Sequence, residues 1–97
     1  MAIRLELSRR AEADLDEIRD YSVEHFGVPR AIAYLDAIEQ AFRRIVSFPG
    51  AGALHSTVEP PVRSLACERH RIFYNVEGEV ILIPRVLHGA MDAERHL

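Results

Sequence analysis

The side chains with the clearest chemical potential lie in the C-terminal half of the chain. Arg63 and Arg85 are cations on predicted β-strands, and His88 follows Arg85 at the end of the last one. Cleavage of RNA through its 2′-hydroxyl needs a base, an acid and cations that stabilise the charge developing on phosphorus. Arg63 and Arg85 could supply such cations, and His88, or His70 before it, could supply the base; the family resemblance given below implies this nuclease arrangement only as an alternative.

His88 also has two simpler interpretations. A histidine at the end of a strand can be an exposed residue, or it can be a hydrogen-bonding group that holds the tail. The chain has no lysine, and its tyrosines, Tyr21, Tyr34 and Tyr74, all precede the tail. The family resemblance given below implies that a nuclease would use such residues, so a nuclease built on Arg63, Arg85 and His88 is an alternative and not the leading hypothesis.

The net charge argues against a direct grip on nucleic acid. Twelve arginines face fifteen acidic residues, which gives a net charge of −3, whereas domains that bind phosphate backbones usually carry a basic excess. A protein partner is favoured, and no direct nucleic-acid contact is expected. No apolar run approaches the roughly 20 residues that span a bilayer, so no membrane segment is predicted.

Cysteine and histidine usage predicts no cofactor. The only cysteine is Cys67, which excludes an internal disulfide and fits the reducing cytoplasm. The five histidines and this cysteine have spacings that match no zinc finger or ribbon, so no metal site is predicted.

Hydrophobic periodicity divides the chain into a helical part and a strand part. Ser8 is a good helix N-cap, Gly27 a good helix end, and Pro29 suits the first turn of a second helix. The short break at 27–28 predicts an antiparallel helical hairpin. The expected elements are a strand at 2–7, helices between 8 and 48, a loop at 49–61, strands at 62–67, 70–76 and 80–87 with a turn at 77–78, and a tail from 88 with Asp92 as a helix cap.

This order predicts one α+β domain over residues 1–97, with an N-terminal strand and a helical hairpin packed on a mainly antiparallel sheet. Pro84 lies inside the most apolar strand and cannot donate to a ladder, so we expect an edge position or a bulge there. The predicted core consists of Leu15, Ile18, Leu35, Ile38, Phe42, Ile72, Tyr74, Ile81 and Ile83.

An ordered set of short motifs resembles a known family over nearly the whole chain. The motifs are Ser8-Arg9-Arg10-Ala11, Asp14-Leu15-Asp16-Glu17-Ile18, Phe73-Tyr74, Arg85-Val86-Leu87-His88, Met91-Asp92 and Arg95-His96-Leu97. Together they resemble the ParE branch of the ParE/RelE toxin–antitoxin superfamily. The resemblance implies a cytoplasmic toxin without a catalytic centre that poisons DNA gyrase and forms a hetero-oligomer with a ParD-like ribbon-helix-helix antitoxin. The alternatives are a RelE-type ribosome-dependent mRNA interferase and a fold relative that has lost toxicity.

The resemblance also suggests which residues meet these partners. Arg9 and Arg10 oppose the dipole of the first helix, and they are expected to receive carboxylates from an acidic antitoxin. Tyr21 and Tyr34 flank the apolar stripes of the two helices, and they either pack at the core edge or line a groove for the antitoxin. The tail that is expected to face the target contains His88, Met91, Arg95, His96 and Leu97.

Overall fold

A computed structural model describes residues 3–89, 91 and 93–97 of the chain. The position of Asp92, predicted to cap a helical turn, lies outside the described residues, as does residue 2 of the first predicted strand. The elements are β1 (Arg4–Leu7), α1 (Arg9–Phe26), α2 (Val28–Ser47), β2 (Ala53–His55), β3 (Val62–Cys67), β4 (His70–Glu77), β5 (Val80–His88) and α3 (Ala93–His96).

The helical hairpin forms where the sequence places its caps. The Ser8 side chain accepts a hydrogen bond from the N–H of Ala11 and so caps α1. Gly27 has a φ of +85°, a conformation that favours glycine, and this single residue ends α1 and precedes α2. Its N–H donates to the carbonyl of Val23, and Pro29 stands in the first turn of α2. The second helix therefore begins at Val28, one residue earlier than its proline suggests.

The five strands form one mixed sheet in the order β1-β5-β4-β3-β2. β1 runs parallel to β5, and the other neighbours are antiparallel, which confirms a mainly antiparallel sheet. The prediction of an unbroken loop at 49–61 is wrong in part, because Ala53–His55 pairs with β3 as an edge strand. The turn between β4 and β5 is Gly78–Glu79, so Glu77 belongs to the strand.

Pro84 lies at a β-bulge, which is one of the two positions that its missing N–H predicts. The pairing of β4 with β5 shifts between Phe73 and Asn75, and β5 has the extra residue there. The last strand pair of β1 is Leu7 with Ile83, so Pro84 also lies just beyond the parallel ladder. A residue without an N–H therefore fits inside this central strand without removing a ladder hydrogen bond.

The main core lies between the hairpin and one face of the sheet. Ile18, Ile38, Ile72, Tyr74, Ile81 and Ile83 are buried there as predicted, whereas Leu15, Leu35 and Phe42 pack against them while staying partly exposed. The Tyr74 hydroxyl donates to the carbonyl of Pro49 at 2.7 Å and accepts from the N–H of Gly52 at 2.8 Å. These two bonds hold the start of the 48–61 segment against the sheet.

A second, smaller apolar cluster is formed by Val62, Phe73 and Leu87. Val58, from the segment before β3, and Ala93, from α3, pack against it. Phe73 pairs with Ser64 in the ladder, whereas Tyr74 of the main core pairs with Arg63, so the two clusters lie on opposite faces of the sheet. The C-terminal helix thus covers the sheet face opposite the hairpin.

Candidate functional site

The first turns of α1 cover the part of β5 that β1 does not reach. β1 pairs only with Val80–Ile83. Beyond that point the Ser8 hydroxyl donates to the carbonyl of Pro84 at 2.7 Å, and Asp14 Oδ2 accepts the N–H of Val86 at 2.9 Å. The side chains of Ser8 and Asp14 therefore form the hydrogen bonds with the β5 backbone that a neighbouring strand would otherwise form.

Asp14 also forms a two-point ion pair with Arg85. Arg85 Nε lies 2.8 Å from Asp14 Oδ2, and Arg85 Nη2 lies 2.9 Å from Oδ1. The two side chains keep only 13% and 10% of their surface exposed, respectively. The hydrogen bond with Asp14 raises the pKa of Arg85, so its charge is permanent. The third contact of this guanidinium is a hydrogen bond from Nη1 to the carbonyl of His96, at 3.1 Å.

A groove of about 590 Å³ opens beside this ion pair, between the hairpin and the end of β5. One wall is a stripe of α1 that includes Asp14, Glu17, Ile18 and Tyr21. The remaining lining comes from α2, the β3–β4 turn, the end of β5 and Met91. The groove thus brings together four residues proposed from sequence as partner contacts: Tyr21, Tyr34, His88 and Met91.

The floor of the groove holds a tyrosine and two histidines. The Tyr34 hydroxyl accepts the N–H of Arg69 at 3.1 Å and lies 2.6 Å from His70 Nδ1. His70 pairs with His88 across β4 and β5, with ring centroids 5.5 Å apart. Burial, and secondly His88, lower the pKa of His70, while Asp14 opposes this shift. Burial raises the pKa of Tyr34, so the hydroxyl keeps its proton, and a neutral His70 with its own proton on Nε2 can accept a hydrogen bond from this hydroxyl at Nδ1.

Exposed aromatic groups form one rim of the groove. Tyr21 and Phe26 are 57% and 50% exposed, and the ring of Tyr21 stacks on His25 at 3.9 Å. The Arg30 guanidinium lies 5.4 Å from the centre of the Phe26 ring, within range of a cation–π interaction. Exposed aromatic side chains next to a concave site are typical of a surface that binds a protein partner.

The other residues proposed from sequence lie outside the groove lining. Arg9 and Arg10 are exposed in the first turn of α1. Arg95 and Leu97 are exposed in the C-terminal segment, and His96 is half-buried with its carbonyl bound to Arg85. For these residues the structure provides positions, and their functional roles stay predictions.

The arginines of the nuclease alternative both have intramolecular partners. Arg63 Nη1 donates to the carbonyl of Gly52 at 2.9 Å, and Arg85 is bound to Asp14 and His96. His88 lies by His70 on the groove floor. The contacts of Arg63 and Arg85 are those of residues that hold the fold together, and they do not favour a phosphate site. Among the described residues, no group of three or more His, Cys, Asp or Glu is placed to hold a metal ion.

Sequence reasoning missed the role of Asp14. Its position between Ala11 and Ile18 puts a carboxylate in the buried stripe of α1. An acid in such a stripe indicates a buried cationic partner, because an unpaired charge is strongly disfavoured there. That signal pointed to an arginine, although not to which one.

Comparison with known proteins decides the family. The model of the family described as "ParE toxin of type II toxin-antitoxin system, parDE" matches residues 5–93. The chain belongs to this family. Toxin ParE1 of Mycobacterium tuberculosis is 38% identical, with both chains fully covered. Toxin ParE1 of Caulobacter vibrioides is 40% identical over 94% of each chain.

A solved structure supports the same assignment for the fold. A chain of the "Chromosomal ParDE TA system from P. aeruginosa" is similar with a TM-score of 0.76 and 28% identity, covering 89% of this chain and 95% of that one. The ParE family therefore accounts for the strand, hairpin and sheet order as well as for the sequence motifs. No helix among the described residues is long and apolar enough to cross a membrane.

Proposed function

We propose that this chain inhibits DNA gyrase by binding it as a protein, and that a ParD-like antitoxin neutralises it in the cytoplasm. Membership of the ParE toxin family over residues 5–93 carries this proposal. The choice of DNA gyrase as the target follows from what the resemblance to that family implies. The partner class is supported by the similar structure of a ParDE system from P. aeruginosa.

The groove is the surface that we assign to the antitoxin. Its aromatic rim offers apolar area to one face of an amphipathic segment, and its remaining lining includes exposed Glu17, Glu68 and Arg69, which can select polar groups on the segment's edge. Tyr21 and Tyr34 are then antitoxin contacts, as proposed from the sequence, and so are His88 and Met91, although the sequence predicts these two in the target-facing tail. The C-terminal residues Arg95, His96 and Leu97 lie outside the groove lining, and we assign them to the target.

The proposed activity needs no general acid–base chemistry and no cofactor. Arg63 and Arg85 are engaged inside the protein, and the net charge of −3 does not favour a grip on RNA. The toxin would therefore act by occupying its target. This distinguishes it from an mRNA interferase, in which loss of the base lowers the rate by roughly 10²–10⁴-fold.

A pair of assays on the purified protein tests this function. We expect the wild type to inhibit gyrase supercoiling and to leave ribosome-bound mRNA intact. Deletion of residues 91–97 should weaken gyrase inhibition, whereas His88→Ala should lower growth inhibition by less than about tenfold, well short of the effect of losing a base. Cleavage of ribosome-bound mRNA that His88→Ala abolishes would replace the gyrase proposal with the nuclease. Absence of both activities with intact antitoxin binding would indicate a relative that has lost toxicity.

A further inference from the structure

The Arg85 guanidinium joins two parts of the molecule that are distant in sequence. Nε and Nη2 bind the two carboxylate oxygens of Asp14 on α1, and Nη1 binds the carbonyl of His96 in α3. The planar guanidinium presents its N–H groups in a fixed fork, so one group can serve both acceptors at once. We refer to Asp14, Arg85 and the His96 carbonyl together as the Arg85 clasp.

The C-terminal helix depends on such tertiary contacts for its position. α3 has four residues, and the N–H of Leu97 bonds to the carbonyl of Ala93 at 3.0 Å. One helical turn is unstable alone, because nucleation fixes several residues for a single hydrogen bond. In the described part of the chain, the tertiary contacts that act on it include the packing of Ala93 against the Val62–Phe73–Leu87 cluster and the Arg85 clasp.

The rest of the clasp is well anchored. Asp14 also accepts the N–H of Val86, so its carboxylate is fixed to the strand that carries Arg85. The side chains of both partners are nearly buried, and a charge pair in that setting keeps its geometry better than an exposed pair does. Through its hydrogen bond with Arg85, the His96 carbonyl is therefore attached to a well-anchored contact between α1 and β5.

The geometry points to Arg85 as the positioning residue of the segment Ala93–Leu97: it acts on target inhibition by holding this segment in place and does not itself contact the target. The part about target inhibition rests on the proposed function. The part about position does not, because it concerns the free protein alone. Arg85 is then required for toxicity for a reason unrelated to phosphate binding.

The test uses Arg85→Lys, which keeps the charge opposite Asp14 but cannot reach both acceptors with a planar fork. Arg43→Lys is the matched control, since Arg43 pairs with Glu39 on the exposed surface of α2. Backbone order parameters are measured by ¹⁵N relaxation on the full chain. We expect order parameters for residues 93–97 near those of rigid backbone, about 0.85, in the wild type and the control, and below about 0.6 in Arg85→Lys. Values for β3, β4 and β5 should stay unchanged, which shows that the variant is folded.

The same variants are then compared for growth inhibition and gyrase inhibition, alone and in a chain lacking residues 93–97. We expect Arg85→Lys to lower growth inhibition and gyrase inhibition at least tenfold in the full chain. In the shortened chain it should cause no further decrease. Unchanged order parameters in Arg85→Lys would overturn the positioning role. A mobile segment with undiminished growth inhibition, or an equal loss in the shortened chain, would overturn its link to toxicity. If the wild type inhibits growth but not gyrase, the proposed target fails, and the clasp is judged on order parameters and growth inhibition.

Discussion

At the scale of single residues, His70 is a titratable group that three neighbouring residues confine. The Tyr34 hydroxyl from α2 lies 2.6 Å from its Nδ1, which accepts this hydrogen bond when the neutral ring carries its proton on Nε2. His88 from β5 faces its ring, and the N–H of the turn residue Arg69 donates to the same hydroxyl. A proton on Nδ1 would reverse the hydrogen bond from Tyr34 and place a cation in a half-buried site beside a second histidine. The folded protein therefore disfavours protonated His70.

This confinement predicts a pH-dependent stability. Burial and the neighbouring His88 put the folded pKa of His70 below its ordinary value of 6.5. The unfolded chain then binds more protons at this site, so the stabilisation present above pH 6.5 is lost as the pH falls through the lower folded pKa. Urea unfolding between pH 5 and 8 should show a free energy of unfolding that decreases below pH 6.5. In His70→Gln this share of the decrease should disappear, and identical pH profiles for the two proteins would contradict the assignment.

The residue scale also shows what one sequence can reveal about the site. Tyr21, Tyr34, His88 and Met91 stood out from the core pattern or in the family motifs, and they all line the groove. The pairing of Asp14 with Arg85 could not be derived, because the two residues lie 71 positions apart and twelve arginines were available. A local pattern identifies a residue in need of a partner, and only the tertiary fold selects that partner.

At the scale of elements, strong local signals were correct and weak ones were not. Caps at Ser8 and Gly27 delimit the first helix, and Pro84 lies at a bulge, which is one of the two positions that its missing N–H predicts. β2 was missed because its three residues have no periodicity of their own and are ordered by pairing with β3. Leu54 in this strand is 57% exposed, so little apolar burial marks the segment in the sequence.

The second helix provides a matched test of how the hairpin faces the sheet. Ile45 is fully buried and Ile32 is 56% exposed, on the same helix and with the same side chain. Ile45→Ala should lower the free energy of unfolding by about 2–5 kcal/mol, because it removes buried methyl groups and leaves a cavity. Ile32→Ala should change it by no more than about 0.5 kcal/mol. Denaturant unfolding measures both, and equal losses would mean that the helix faces the sheet differently.

Phe42 illustrates the limit of periodicity within the same helix. The stripe predicts its burial, and it does pack against the core, but it remains partly exposed. The loss expected for Phe42→Ala is therefore below the roughly 3–5 kcal/mol typical of a fully buried phenylalanine. Periodicity specifies which face of a helix turns inward, while the extent of the sheet beneath it decides how deeply each position is buried.

At the scale of the whole molecule, the order of the strands in the sheet is the feature that local sequence patterns could not predict. The order of elements along the chain predicts a hairpin on a mainly antiparallel sheet, but the neighbour of β1 was open. Its parallel pairing with β5 places the start of α1 beside the end of the last long strand. The groove and the Arg85 clasp both follow from this placement, since each uses α1 and β5 together.

The geometry of α1 distinguishes two arginines that the sequence treats alike. Helical spacing puts Arg10 on the same face as Asp14, Glu17 and Tyr21 of the groove wall, three to four residues apart, whereas Arg9 points to another face. From Arg10 to Tyr21 the helix rises about 17 Å, so a partner of about five extended residues could lie along the groove and reach Arg10.

We therefore predict that Arg10→Glu weakens binding of an acidic antitoxin more than Arg9→Glu does, although both positions are exposed and adjacent in sequence. An exposed ion pair contributes about 0.2–1 kcal/mol, so Arg10→Glu should lower the affinity for the antitoxin by up to about fivefold. The decrease should arise mainly from slower association, and it should become smaller as the salt concentration is raised. Surface plasmon resonance at two salt concentrations measures both effects. Equal losses for the two variants would mean that the antitoxin wraps the end of α1 from both sides, and a larger loss for Arg9→Glu would place its acidic groups away from the groove.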